Sequence, residues 1–164
     1  MIDQLNEKIV VAFGEEAVEI INEGLQPTLL VKKEFIKSLC LWLRDHQEYY
    51  FDFLANITAV DYYPEEKFAV VYHLTSIPYQ KQVTLKVILP NTRDVDHLPE
   101  LDSVTDVWKT ADWHEREAFD LMGIFFNGHP DLRRILLPDD WSGYPLRKDY
   151  EEAESYHGIS IKSS

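Results

Sequence analysis

Two stretches decide the fold: Phe68-Ala-Val-Val-Tyr-His-Leu-Thr75 and, after a short gap, Val83-Thr-Leu-Lys-Val-Ile-Leu89. In the first, Phe68, Val70, Tyr72 and Leu74 recur at every second position. In the second, Val83, Leu85, Val87 and Leu89 alternate with Thr84, Lys86 and Ile88. A period of two in β-branched and aromatic residues predicts strands with one buried face. Phe51–Tyr63, with Ile57, Val60 and Tyr62, reads as a third strand. The links between the three contain Pro64 and Pro78, so antiparallel neighbours are expected. His73 lies inside a strand pattern and reads as a packed strand residue rather than a ligand.

Upstream, residues 3–13 place Leu5, Ile9, Val10 and Phe13 at helical spacing, with Asp3 as the expected cap and Gly14 as the stop. Val18–Asn22 and Thr28–Val31 read as short strands around Gly24 and Pro27. Residues 33–45 form a second helix, whose stripe Phe35, Ile36, Leu39, Cys40 and Leu43 leaves Lys33, Lys37 and Arg44 outside it. Downstream, 90–103 reads as a polar loop. A short helix then runs from Asp112 to Met122, with Asp112 and Glu115 as a capping-box pair and Gly123 at its end. The fold class is therefore α+β, with helices packed on a mixed or antiparallel sheet. Residues 1–110 are the expected globular domain. Residues 111–150 are a short helix plus a long extended C-terminal arm, and 151–164 are a tail.

The arm is set apart by its composition. Residues up to Gly123 hold 11 basic and 22 acidic side chains, whereas 124–150 hold four of each and many rings. Regular periodicity stops there, yet the segment is too aromatic for a flexible linker. Balanced charges and rings suit burial against a partner with each charge paired.

Whole-chain composition excludes several classes. The 164 residues carry a net charge of -13, the wrong sign for nucleic acid or for docking directly on anionic lipid. A single cysteine, Cys40, can form no internal disulfide and cannot hold an iron–sulfur cluster; its apolar neighbours make it a buried small hydrophobe. The six glycines are too scattered for a dinucleotide or phosphate loop. No basic-then-apolar leader opens the chain and no apolar run approaches the ~20 residues of a membrane span. A cytoplasmic protein is expected, reaching a membrane only through partners.

The densest chemistry is His114-Glu115-Arg116-Glu117 followed by Asp120, His129, Arg133 and Arg134. Glu117, Asp120 and His129 are the candidate metal ligands of a stand-alone enzyme. The zincin pattern needs a second His four residues after the first, and position 118 is Ala. Arginines among the carboxylates favour an ion-pair network, with Arg116 and Asp120 four apart and Glu117 and Asp120 on one helical face. Glu115 and Glu117, two apart, point to different sides and make a poor acid–base dyad. No Gly-x-Ser-x-Gly occurs, and Cys40 has no catalytic partner in view.

The run Glu115-Arg116-Glu117-Ala-Phe-Asp120-Leu-Met-Gly123-Ile-Phe-Phe-Asn-Gly128-His129-Pro130-Asp131-Leu-Arg133-Arg134-Ile-Leu-Leu-Pro138 closely resembles the signature of the thirty-kilodalton subunit family of complex I-type NADH:quinone oxidoreductases. The continuation Asp139-Asp140-Trp141-Ser-Gly143-Tyr144-Pro145-Leu146-Arg147-Lys148-Asp149-Tyr150 is similar to the same family. Thr58–Tyr62 and Val70–Leu74 resemble its strand region more weakly. The resemblance covers roughly residues 5–150 and implies an α+β domain with an arm wrapping a large neighbour, in the peripheral part of a proton-translocating, membrane-associated complex. It implies a subunit with no cofactor of its own. FMN, iron–sulfur clusters and quinone would sit on partners, which include the forty-nine-kilodalton-type quinone-site subunit and neighbouring cluster-bearing subunits. In a bacterium the complex would lie on the cytoplasmic face of the membrane. Glu115, Arg116, Glu117, Asp120, His129, Arg133, Arg134, Trp141, Tyr144, Arg147, Lys148 and Tyr150 would be interface or arm-folding residues, not catalysts. Related subunits in membrane-bound hydrogenases and other donor-fed oxidoreductases leave the electron donor open. The tail Glu151–Ser164 matches nothing in the family pattern and reads as a mobile end.

Overall fold

A computed structural model describes residues 1–22 and 24–161. The chain begins with helix α1 (Ile2–Phe13), whose Leu5 and Ile9 are buried. Its cap is Met1, with no side-chain bond, so Asp3 lies in the first turn and not at the cap. There its charge favours the helix dipole. Strands β1 (Val18–Ile21) and β2 (Thr28–Val31) pair antiparallel. A 3₁₀ turn over Lys33–Phe35 leads into α2 (Ile36–Asp45), which buries Ile36, Leu39, Cys40 and Leu43. Burial pushes the Cys40 thiol above its ordinary range, so it is held as an inert core group.

β3 (Phe53–Asp61), β4 (Lys67–Ser76) and β5 (Lys81–Pro90) are consecutive antiparallel strands. β5 then lies parallel to β2, giving a mixed sheet of order β1-β2-β5-β4-β3. The alternation sorts the residues as expected. Phe68, Val70, Tyr72 and Leu74, and opposite them Leu89, Val87, Leu85 and Val83, are buried on the face that receives α1 and α2. Each such side chain contributes about 1.5–3 kcal/mol on burial. On β3, Leu54, Ile57 and Asp61 continue this face across a bulge at Ala55, whereas Val60 points away. His73 lies on the exposed side of β4, paired across from Thr84.

Two short elements were hidden in the sequence. β6 (Glu100–Asp102), inside the expected polar loop, pairs parallel with β7 (Phe125–Asn127), just past the third helix. Three-residue strands carry too little periodicity to be read. That helix, α3 (Ala111–Met122), lies against β3 and adds Ala111, Ala118 and Met122 to the common core. The tail also has structure: β8 (Ser155–Tyr156) and β9 (Ile159–Ser160) form a hairpin. Its two turn residues, His157 and Gly158, both have positive φ, the type I′ geometry that matches strand twist. The expectation of a mobile end reaches Ile161; Lys162–Ser164 lie outside the described residues.

Candidate functional site

α3 ends at Gly123, whose left-handed conformation (φ 71°) lets its N–H bond back to the Phe119 carbonyl. A second constraint acts here. A Cβ at this position would lie 2.7 Å from both Arg147 Nη2 and the Tyr144 ring. The helix stop is also the floor on which the arm lies.

The capping box does not form. The cap position is Thr110 and makes no side-chain bond. Glu115 turns instead into the interior, fully buried, where its carboxyl accepts from the Ser103 hydroxyl (2.6 Å) and the Val104 N–H (2.7 Å). Burial raises its pKa to about 7, against the pull of those two donors. Glu115 thus ties the loop after β6 to α3.

Arg116 does not pair with Asp120. Its Nε lies 2.9 Å from Asp112 Oδ1 and its guanidinium stacks 4.4 Å over the exposed Trp113 ring, with Asp131 at 3.7 Å. The His129 side chain is wholly enclosed. Its Nδ1 accepts the Asp131 N–H, which assigns the ring proton to Nε2 for donation to the Asp112 carbonyl at 3.2 Å.

Asp120 is the anchor of the arm. It is fully buried, and its Oδ2 accepts three consecutive backbone N–H groups, from Ile135 (3.1 Å), Leu136 (2.7 Å) and Leu137 (3.0 Å). Its Oδ1 accepts from Arg134 (2.9 Å), which also donates to the carbonyls of Asp120 and Gly143. Burial alone would raise the Asp120 pKa; the Leu136 and Leu137 N–H groups, Arg134 and the Ile135 N–H outweigh it and hold the pKa low. Glu117, expected on the same face, is exposed and has no partner among the described residues.

A second anchor lies at the end of the arm. Arg147 is buried and donates to the carbonyls of Met122 (2.8 Å) and Gly123 (3.3 Å). The Tyr144 ring sits between Arg134 and Arg147, 5.1 and 4.8 Å from their guanidinium carbons. Beside it, Asp61 accepts from both Arg93 nitrogens (2.6 and 3.0 Å), from the Lys148 N–H (2.8 Å) and from the Tyr63 N–H (2.9 Å). Arg93 also reaches Asp149 at 3.1 Å. Sequence reading missed Asp61 and Arg93, which are distant from the signature and from each other along the chain.

The rest of the arm follows from these anchors. Trp141 Nε1 donates to the Tyr150 hydroxyl (3.2 Å), and the tail hairpin lays Tyr156 beside the Trp141 ring. Tyr156 and His157 both bond Asp140. Most of the arm's buried charge is matched within the chain. The physical reason is that α3 and β3 present the acids Asp120 and Asp61, together with the helix's terminal carbonyls, where the arm's N–H groups and arginines can reach them. Arg133, by contrast, is exposed and among the described residues bonds only Asp131, and the Lys148 side chain is exposed.

Glu117, Asp120 and His129 do not converge: Asp120 is bonded to the arm's amides and Arg134, His129 to Asp112 and Asp131, and Glu117 is exposed with no partner among the described residues. Among the described residues, no group of three or more His, Cys, Asp or Glu side chains is placed to hold a metal. No helix among them is long and apolar enough to cross a membrane.

Comparison with known proteins gives a consistent result. The family described as "Respiratory-chain NADH dehydrogenase, 30 Kd subunit" matches residues 29–156. A Chlorobium phaeobacteroides protein, named as a subunit of an NADH-quinone oxidoreductase, is 48% identical over 76% of this chain and 72% of that protein. Proteins of the same name from Geotalea uraniireducens and Chloroherpeton thalassium are each 41% identical, over 89% and 91% of this chain. The match spans 88% of the Geotalea protein but only 60% of the Chloroherpeton one. Among solved structures, a chain of an archaeal membrane-bound sulfane sulfur reductase, a respiratory membrane complex, superposes with a TM-score of 0.73 at 23% identity, covering 91% of this chain and 85% of that one. That likeness is one of fold.

Proposed function

Given that this chain belongs to the thirty-kilodalton subunit family of the respiratory-chain NADH dehydrogenase, we propose that it is a cofactor-free assembly subunit of a proton-translocating NADH:quinone oxidoreductase. It holds the quinone-site subunit and neighbouring iron–sulfur subunits in place for electron transfer, peripheral to the membrane on its cytoplasmic side. FMN, clusters and quinone belong to those partners. One observation carries this reading. The signature acids and arginines are engaged within the chain: Asp120, Arg134 and Arg147 shape the arm, Glu115 ties the loop after β6 to α3, and Arg116 lies against Asp112. Outside them stands a surface with Trp113, Leu136, Leu146 and Arg133 exposed. Exposed aromatic, aliphatic and arginine side chains are the material of a protein interface. A permanent interface of this kind buries more than ~1,000 Å² per side. The equivalent place in a complex fed by another donor is the alternative, and relatives at 41–48% identity named for NADH and quinone support the first reading.

The test is purification of the tagged chain from membranes in mild detergent. Flavin- and cluster-bearing subunits are expected to accompany it. Arg133→Ala should lower the amount of assembled complex more than the turnover per assembled complex. Normal assembly with lost turnover would overturn the reading.

A further inference from the structure

Glu117 is the one carboxylate of the signature that the fold leaves without a partner among the described residues. It stands at a cleft of about 200 Å³ between α3 and the edge strand β3. The buried side chains of Ile57, Ala118 and Met122 form the bottom of this cleft. Its rim is polar: His114 and Glu117 come from the helix, and Asn56 and Thr58 from the strand. The Asn56 amide donates to the Thr58 hydroxyl (2.6 Å), and the exposed Glu117 carboxylate on the same rim is an acceptor with no donor among the described residues. Among the described residues, no lysine or arginine lines the cleft. Along α3, Trp113, Glu117 and Leu121 succeed one another at four-residue steps, and Leu146 of the arm closes one end with its side chain largely exposed.

We propose that this cleft receives an arginine side chain from a partner subunit, with Glu117 as its counter-charge and Trp113 and Leu146 as the apolar border of the contact. The inference rests on the assembly reading above and names the partner chemistry. A slot with an acid on its rim and an apolar floor fits a guanidinium on an aliphatic stem, which offers five donors and packs its methylenes. The chain's net charge of -13 adds a field of the same sign. An exposed acid that does nothing within its own fold is suited to this role, because it costs the free subunit no stability.

The experiment compares wild type, Glu117→Gln and Glu117→Lys in the full chain, expressed in cells whose own copy is deleted. Two quantities are read: the fraction retained on the complex after washes of rising salt, and the melting temperature of the free chain. Retention should fall roughly tenfold for Glu117→Gln and further for Glu117→Lys, as truncation of a desolvated interfacial charge predicts. Melting of the free chain should be unchanged, which separates docking from folding. A photo-reactive residue at Leu146 should cross-link to an arginine-containing peptide of another subunit. Equal retention of all three forms, or a cross-link to a second copy of this chain or to an acidic segment, overturns the proposal. If wild type itself brings down no other subunit, the assembly reading fails instead.

Discussion

The sheet and the arm are held by opposite means. Between β3 and β5 the chain repeats one rule, an apolar side chain at every second residue, and the resulting face is buried against α1 and α2. Beyond Asn127 there is no such rule. Residues 128–150 are fixed by a few charged groups, each making several bonds: Asp120 to three amides and an arginine, Arg147 to two carbonyls, and Asp61 to an arginine and two amides. A hydrophobic face spreads its stabilisation over many residues. A hydrogen-bonded anchor concentrates it in one, because breaking a buried pair leaves the partner charge and amides unsatisfied. The two regions should therefore fail differently.

The largest effect expected is from Asp120→Ala. It removes the acceptor of Ile135, Leu136, Leu137 and Arg134 at once. A loss of about 3–5 kcal/mol is predicted from the cost of stranding a buried charge, concentrated in the arm. Hydrogen exchange should show the amides of 135–137 and 144–150 exposed while those of β4 and β5 stay protected. Leu85→Ala, at the centre of the sheet, should cost about 2–5 kcal/mol but lower protection everywhere. If Asp120→Ala deprotects the sheet and arm equally, the two regions are one cooperative unit and the contrast collapses.

Gly123→Ala sharpens the boundary between the regions. The new methyl would sit in a left-handed backbone and 2.7 Å from Tyr144 and Arg147. Backbone strain costs about 1 kcal/mol and the displaced contacts about as much again. Tyr144 should move, read as a change in its fluorescence or ring resonances, with α3 itself retained. An unchanged Tyr144 environment would show that the arm does not rest on the helix end.

How much of this was legible in the sequence follows from the same contrast. Phe68, Val70, Tyr72 and Leu74 could be placed because their signal lies within eight residues of chain. Cys40 was readable as core because its neighbours are. The signature pointed to the right helix, and the family it resembles is the family the chain belongs to. The wiring of that helix was not legible. Asp112 and Glu115 fit a capping box by spacing, but Glu115 bonds Ser103 and Val104, held beside it by the β6–β7 pair. Arg116 had acids at both four-residue neighbours, and only the fold shows that Asp120 is turned to the arm. Asp61 and Arg93 carry no local mark at all. The hairpin at Ser155–Ser160 did leave a signal, a two-residue turn ending in Gly158, which was readable and missed.

The smallest effect concerns pH and tests whether a charged residue inside the apolar half behaves as the arm's do. Glu115 is buried with the core, and among the described residues only Ser103 and Val104 donate to it. Its pKa is raised to about 7 from an ordinary 4.5. The folded protein therefore keeps this proton where the unfolded chain has released it. Stabilisation from the protonated form is full below about pH 4.5 and declines as pH rises to about 7, then stays level. Glu115→Gln keeps an uncharged group that can still accept one of the two bonds, and the Ser103 hydroxyl can rotate to accept the amide. The difference in unfolding free energy between wild type and Glu115→Gln should shift in favour of the variant by on the order of 1–2 kcal/mol between pH 5.5 and 8.5, measured by denaturant titration. Asp120→Asn should show no shift over that range, since its pKa is held below the ordinary 3.8 and the carboxylate is ionised in both the folded and the unfolded chain. A pH-independent difference for Glu115→Gln would mean that Glu115 is ionised in the core like its counterpart in the arm.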